Sequence, residues 1–304
     1  MKNLLGVLAG LAAAAIWGGM YVVSKVVLDV VPPFALLSMR LLLGVAVMGA
    51  VLLIRPSTKQ RIALRVIGAA LGVGAIGFGL SLGLQFVGTR LSNASNASLV
   101  TSASPAFMLG FAIWLLRERA TSRRLVALAV ATIGVLVVVD PTSARLDPPA
   151  FWGNLALLGA ALTWGLFSVL AKWTSRHLPV LAVSMYGFLG GLVLALPAAG
   201  LELRGAAIGP ITLPILLGII YLGVVSTAVA VFLWNHALAT LDASVVSLLF
   251  FAQPLVGAGL GTALLGEQLP ATFWIGGAMI VFGVLLVSWS PMRPAEAIQL
   301  PGGG

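Results

Sequence analysis

Long apolar stretches separated by short breaks run through nearly the whole chain, and they constrain the fold more than any other feature. Each is close to the roughly 20 residues of helix that cross a bilayer core. Charged residues make up only 8% of the chain, whereas soluble domains carry roughly 25%. The sequence therefore predicts a membrane protein. The apolar stretches span approximately 4–24, 34–54, 66–86, 94–116, 124–140, 152–172, 179–199, 212–234, 243–265 and 272–290.

These stretches are predicted to be α-helices, because lipid offers no hydrogen-bond partner to an open backbone. Ten helices place both termini on one side of the membrane. With the termini in the cytoplasm, 12 of the 17 lysines and arginines lie inside and five outside, which agrees with the positive-inside rule. The predicted fold is an all-α membrane protein with ten transmembrane helices, N-in and C-in, located in the cell's inner (plasma) membrane.

Charge and composition exclude several classes of function. The net charge of +9 does not indicate nucleic-acid binding, because the basic residues form short clusters and no basic face with interleaved aromatic side chains. The chain has no cysteine, and its two histidines, His177 and His236, fall at predicted helix ends. The eight acids also fall at predicted helix ends or in loops. We therefore expect no metal, no cofactor, no catalytic centre and no buried carboxylate relay for protons.

An internal repeat divides the chain into halves. Four residues of the first half recur 147 positions later, and a second set recurs 149 positions later. The predicted domains are residues 1–148 and 149–304, with 291–304 as a flexible cytoplasmic tail. Each half has five helices, an odd number, so the halves are expected to lie inverted in the membrane, as in alternating-access carriers. The first set is Gly6, Trp17, Gly18 and Lys25, which recur as Gly153, Trp164, Gly165 and Lys172.

The repeated motifs resemble the EamA family of the drug/metabolite transporter superfamily, over about residues 4–290. Within that family, the chain length and the aromatic-rich first, sixth and eighth helices look most like the YddG-type exporters of aromatic and other amino acids. The resemblance implies a small-molecule transporter. The motifs are Trp17-Gly18, Pro105 and Leu116-Arg117-Glu118-Arg119, followed by Trp164-Gly165, Pro254 and Leu265-Gly266-Glu267-Gln268.

Polar and aromatic side chains within the predicted helices are the candidates for a substrate path. Eight of the 13 residues from Ser92 to Ser104 are polar, and facing lipid they would be costly. Hydrogen bonding and packing between helices are the alternative explanation. The expected cavity is uncharged and rich in aromatic side chains. Its candidate lining residues are Trp17, Met20, Phe78, Ser81, Gln85, Ser95, Ser98, Ser102, Trp164, Phe167, Trp234, Asn235, Phe250 and Gln253.

Two basic residues, Lys25 and Arg40, lie deepest in the predicted spans, towards the outer face. Snorkelling of the charged end to the interface explains Lys25. It explains Arg40 less well, because Arg40 lies six residues into its span.

The predicted function is the export of amino acids and related small metabolites by alternating access. Aromatic rings with scattered amides and hydroxyls suit a zwitterion or an aromatic metabolite. Export of drugs or nucleotide-related metabolites is the alternative, and a channel is a further one. The expected partners are a small-molecule substrate and the lipid bilayer, without nucleic acid, and the expected state is a monomer.

Overall fold

The computed structural model describes residues 2–54, 63–91, 97, 100–119, 121–139, 148–253, 255–256, 259–260 and 271–288. Every regular element in these ranges is a helix, which confirms the predicted all-α class. The predicted tail, 291–304, lies outside the described residues. The helices are α1 (Lys2–Leu28), α2 (Pro33–Ile54), α3 (Leu64–Leu91), α4 (Ser104–Leu116), α5 (Ser122–Val139), α6 (Pro148–Thr174), α7 (Val180–Glu202), α8 (Leu213–Thr240), α9 (Ala243–Leu249) and α10 (Ala271–Ser288).

Within the described ranges, six helices are long and apolar enough to cross a membrane: α1, α2, α3, α6, α7 and α8. The outer surface carries large apolar side chains such as Leu53, Leu64 and Trp114, while serines, threonines and one arginine are buried. This distribution is opposite to that of a soluble protein and fits a chain surrounded by lipid. The count of ten spans and the N-in, C-in orientation remain predictions.

Helix pairing is nearly unchanged when the two halves are exchanged. The second, fourth and fifth helices of each half pack against their own counterparts, as α2 with α7, α4 with α9 and α5 with α10. Other large contacts occur twice, once for each half. The contact of α1 with α8 is equivalent to that of α6 with α3, and the contact of α4 with α6 is equivalent to that of α9 with α1. Most of the large interhelical contacts therefore join one half to the other.

The fourth helix of each half is interrupted, contrary to the continuous spans predicted over 94–116 and 243–265. Helix α4 begins at Ser104, and α9 ends at Leu249. Proline contributes to the interruption before α4, because it lacks the N–H that would continue the helical hydrogen bonds to the preceding turn. At Pro105, the carbonyl of Thr101 lacks its usual donor, and the Ser104 hydroxyl donates to it instead, with an O···O distance of 2.7 Å.

The third helix of each half contains a π-helical stretch that the sequence did not indicate. The two stretches are Ala75–Ser81 in α3 and Tyr221–Val229 in α8. In the second, the Thr227 hydroxyl donates to the carbonyl of Leu222 at 2.7 Å, five residues earlier. Such stretches frequently occur at functional sites. The first contributes Phe78 and Ser81 to the wall of the cavity described next, and the second supplies hydrogen-bond partners to two residues of that wall, Trp17 and Arg40.

Candidate functional site

A central cavity lies between the two halves, where α1, α2 and α3 face α6 and α8. It encloses about 440 Å³ of space between its lining atoms, a figure that includes space open to solvent. Both halves contribute to its wall, as expected for a transporter with a site between repeats. The lining residues are Trp17, Met20, Tyr21, Arg40, Phe78, Ser81, Leu82, Gln85, Thr101, Ser104, Ala160, Ala161, Trp164, Val231, Phe250 and Gln253.

Aromatic rings form one continuous part of this wall. Trp17 and Trp164, which occupy equivalent repeat positions, meet edge to face with ring centroids 5.3 Å apart and an interplanar angle of 87°. Phe250 lies 6.0 Å from Trp17, and Phe78 lies 6.3 Å from Trp164. Edge-to-face pairs at these distances are favourable beyond their buried area. They give the cavity a preformed apolar surface.

The two symmetric tryptophans differ in their hydrogen bonds. Trp17 Nε1 donates to the Ser226 carbonyl oxygen at 2.9 Å, in the π-helical stretch of α8. Trp164 Nε1 is buried and has no hydrogen-bond partner within the described ranges. A buried donor without a partner is costly unless a ligand supplies an acceptor.

A chain of polar groups crosses the cavity opposite the rings. Gln85 Nε2 donates to the Tyr21 hydroxyl at 2.9 Å. The Tyr21 hydroxyl lies 2.7 Å from Thr101 Oγ1, which itself donates to the Ala97 carbonyl at 2.7 Å. Tyr21 is therefore the donor to Thr101. Gln253 lies on the same wall, and its buried Oε1 has no hydrogen-bond partner among the residues that the structure describes.

Arg40 corrects two predictions, because it is a buried cation on the cavity wall. Its side chain is only 1% exposed, so it does not snorkel to the interface, and the cavity is not uncharged. Arg40 Nε donates to Thr227 Oγ1 at 2.8 Å, and Nη2 lies 3.4 Å from Ser226 Oγ. The guanidinium also lies over the Phe86 ring, 5.3 Å from its centroid. Snorkelling fails here because α2 buries this position against α8.

Eight of the fourteen predicted site residues line the cavity. Phe167 and Trp234 stand behind the lining rings: Phe167 lies 4.9 Å from Trp164, and Trp234 lies 5.3 Å from Trp17, between centroids. Ser102 and Asn235 are buried but do not line the cavity, and Asn235 donates to Ser184 Oγ at 3.0 Å. Ser95 and Ser98 lie outside the described residues. The eight are Trp17, Met20, Phe78, Ser81, Gln85, Trp164, Phe250 and Gln253.

Sequence reasoning did not include Tyr21, Arg40, Thr101 and Ser104 among the site candidates. Thr101 and Ser104 belong to the polar run before Pro105, so that signal was present. Arg40 was also signalled by its depth in an apolar span, since buried charges in membrane segments are usually functional. No sequence signal separated Tyr21 from its apolar neighbours.

A second polar cluster lies at one end of the bundle, away from the cavity. The Glu118 carboxylate accepts from the backbone N–H of Ala243 at 2.8 Å and from the N–H and hydroxyl of Ser244 at 3.1 and 2.6 Å. Arg124 pairs with Asp242 and donates to Ser244 Oγ at 2.7 Å. A carboxylate from the first half thus caps α9 of the second half.

Comparisons with known proteins agree with this architecture. Residues 4–140 and 151–289 each match the EamA-like transporter family. The chain is 29% identical over 290 residues to a protein of Salmonella typhimurium named "Probable amino-acid metabolite efflux pump", covering 91% of this chain and 92% of that one. The Escherichia coli protein of the same name is 28% identical over 311 residues, covering 97% and 98%.

A solved crystal structure also superposes on the chain. The TM-score is 0.77 at 22% sequence identity, and the alignment covers 92% of this chain and 95% of the other. At this identity the likeness concerns the fold alone.

Proposed function

This chain belongs to the EamA-like transporter family, and on that premise we propose that it exports amino acids and related small metabolites by alternating access. The location is proposed to be the inner (plasma) membrane, with ten spans in two inverted halves. Two relatives that align over nearly their whole lengths carry the name of an amino-acid metabolite efflux pump. Their name supports this substrate class for the present chain.

The observation that carries the proposal is the composition of the central cavity. Its wall combines the faces of Trp17, Trp164 and Phe250 with the amides of Gln85 and Gln253. Such a wall offers aromatic stacking, cation–π contact with an ammonium group and hydrogen bonds. A small zwitterion with an apolar side chain matches these groups, whereas a bare apolar drug would offer no hydrogen-bond donor to Gln253 Oε1.

The exchange symmetry of the helix contacts supports the transport mechanism. The contact between α1 and α8 is equivalent to the contact between α6 and α3. In a second state, the first half would take the conformation that the second half has here, and the second half that of the first. The cavity would then open towards the opposite membrane face. This alternation is the expected behaviour of inverted repeats around one central site.

The test is counterflow in proteoliposomes made from the purified chain. Liposomes preloaded with unlabelled phenylalanine should accumulate labelled phenylalanine from outside, and the rate should saturate with concentration. Leucine and tryptophan should compete, while nucleobases and hydrophobic amine drugs should not. Competition by nucleobases without competition by amino acids would contradict the proposal, and flux that never saturates would indicate a channel.

A further inference from the structure

Arg40 is a buried cation whose charge is not balanced by an acidic side chain in the part of the chain that the structure describes. Its guanidinium contacts the neutral groups Thr227 Oγ1 and Ser226 Oγ, and its Nη1 lies 3.6 Å from the sulfur of Met20. Among the described residues, the ion pairs involve Arg124 and not Arg40. A buried charge without a partner of opposite sign is strongly unfavourable.

The neighbouring tyrosines do not supply the missing negative charge. The Tyr221 hydroxyl donates its proton to the Ile16 carbonyl at 2.8 Å. Tyr21 donates to Thr101, whose own hydroxyl proton is bound to the Ala97 carbonyl. Both tyrosines therefore act as neutral donors, and the guanidinium remains the net charge of this part of the wall.

Part of the guanidinium is also left without a strong acceptor among the described residues. Arginine has five N–H donors in a planar fork, and these residues supply two hydroxyl oxygens and one thioether sulfur to them. Sulfur is a weak acceptor, so the Nη1 side of the fork has the greatest unused capacity. Because Arg40 lines the cavity, a ligand in the cavity is able to use that capacity.

We infer that Arg40 determines the specificity of the cavity by binding the carboxylate of its substrate, while Gln253 Oε1 accepts a hydrogen bond from the substrate ammonium group. This inference rests on the proposed function and names the two polar contacts that would select an amino acid. Arg40 is the one cation on the described wall, so charge complementarity favours a monoanion such as a carboxylate over a phosphate dianion. The side chain of the bound amino acid would lie against Trp17, Trp164 and Phe250.

The first part of the test needs no mutation. Isothermal titration calorimetry of the purified full chain would compare L-phenylalanine with 3-phenylpropionate, which lacks the ammonium group, and with 2-phenylethylamine, which lacks the carboxylate. The amine is expected to bind about thirtyfold more weakly or worse, because it leaves the buried guanidinium unpaired. Equal binding of phenylethylamine and phenylalanine would overturn the inference.

The second part uses Arg40→Gln and Arg40→Lys, with Arg90→Gln as a control at an exposed arginine. Arg40→Gln should melt at or above the wild-type temperature, since it removes an uncompensated charge. It should also abolish the preference for carboxylate ligands. Arg40→Lys should recover part of that preference, and Arg90→Gln should behave as wild type. A well-folded Arg40→Gln protein that keeps the preference would overturn the inference.

The third part separates Gln253 from Arg40 and separates this inference from the proposed function. Gln253→Leu should weaken the binding of phenylalanine about fivefold or more and leave the binding of phenylpropionate unchanged. If the binding of both ligands weakens equally, Gln253 does not contact the ammonium group. Binding of phenylpropionate that depends on Arg40, without counterflow of any amino acid, would uphold the carboxylate contact and reject amino acid export. Counterflow of amino acids at the wild-type rate by Arg40→Gln would uphold amino acid export and reject the carboxylate contact.

Discussion

Trp17 and Trp164 show how the repeat has diverged at single residues. The two side chains are equivalent in sequence and meet in the cavity wall. One indole N–H is bonded to the Ser226 carbonyl, and the other is buried without a partner among the described residues. The first N–H therefore contributes to the stability of the protein, and we expect the second to contribute when a ligand in the cavity accepts its hydrogen bond.

Replacing each tryptophan by phenylalanine should separate these two roles. Trp17→Phe should lower the free energy of unfolding by about 1–3 kcal/mol, because it leaves the Ser226 carbonyl without its donor. Trp164→Phe should cost less stability, because no bond is lost, yet it should raise the phenylalanine concentration needed for half-maximal counterflow. Thermal unfolding in detergent and counterflow kinetics would measure the two effects.

Trp152→Phe is the matched control, since Trp152 lies on the same helix as Trp164 and is 61% exposed. It should change neither stability nor counterflow. Equal loss of stability in Trp17→Phe and Trp164→Phe would contradict the assignment of different roles.

At the residue scale, the sequence predicted the aromatic wall better than the polar wall. Symmetric placement identified Trp17 and Trp164, and helical spacing identified Phe78, Ser81 and Gln85. Arg40 was misinterpreted because depth along a helix does not tell which neighbour covers that position. Only the packing of α2 against the π-helical stretch of α8 decides that the guanidinium is buried.

At the scale of elements, glycine allows α3 and α7 to cross closely. A Cβ at Gly74 would collide with the backbone of Gly187, whereas a Cβ at Gly72, two residues earlier, would meet nothing. Gly74→Ala should therefore cost about 1–3 kcal/mol through forced separation of the helices. Gly72→Ala should leave the free energy of unfolding unchanged or raise it by up to about 1 kcal/mol, because alanine favours a helix more than glycine does.

The yield of monodisperse protein and the thermal unfolding temperature would measure this pair of variants. Because both substitutions add one methyl group to the same helix, general effects of the change cancel. Similar behaviour of Gly72→Ala and Gly74→Ala would show that the helices do not cross as closely as described.

The Glu118 cap is a second element-scale feature open to test. Glu118→Ala removes the acceptor for Ala243, Ser244 and the Ser244 hydroxyl, and it should lower the free energy of unfolding by about 1–3 kcal/mol. Arg119→Ala, at an exposed neighbour in the same turn, should be neutral. A double-mutant cycle with Ser244→Ala should give a non-additive result; additivity would mean that the contact does not form.

The sequence indicated this turn only in part. Arg117 ends α4 in the left-handed conformation, with φ of 53°, and this turn directs Glu118 towards α9. The equivalent residue of the repeat is Gly266, the residue type that adopts this conformation most readily. The π-helical stretches left no such trace, because one extra residue in a helical turn has no characteristic composition.

At the scale of the whole molecule, two carboxylates join the halves. Glu118 of the first half caps α9, and Glu202 of the second half accepts from the backbone N–H groups of Phe34 and Ala35 at 2.9 and 3.1 Å, capping α2. Counting helices along the chain assigns the two caps to opposite faces in the predicted topology. In that predicted topology, the halves are connected by one cap at each membrane face.

The predicted topology can be tested with cysteine labels, since the native chain has no cysteine. Ser122→Cys and Gly205→Cys place single thiols at exposed positions beside the two caps. In intact cells, an impermeant maleimide should label Gly205→Cys, and it should label Ser122→Cys only after the membrane is opened. Labelling of both positions from outside would contradict the ten-helix, N-in arrangement.

The last prediction concerns the driving force: transport should proceed without an essential protonated carboxylate. Among the described acids, Asp29, Glu118, Glu202 and Asp242 lie at or beyond helix ends, and none lines the cavity. Proton coupling through a side chain requires a group that titrates near the working pH, which in membrane carriers is usually a buried acid. A zwitterionic substrate also carries no net charge, so neither a pH gradient nor a membrane potential acts on it directly.

Counterflow of phenylalanine should therefore run at the same rate with and without an imposed pH gradient, and a protonophore should not change it. The control is a liposome with a clamped membrane potential, which separates proton coupling from charge movement. The decisive contrary result would be accumulation driven by a pH gradient and lost in Glu118→Gln or Glu202→Gln. Such a result would place proton coupling at the caps, where each carboxylate accepts hydrogen bonds from the other half of the chain.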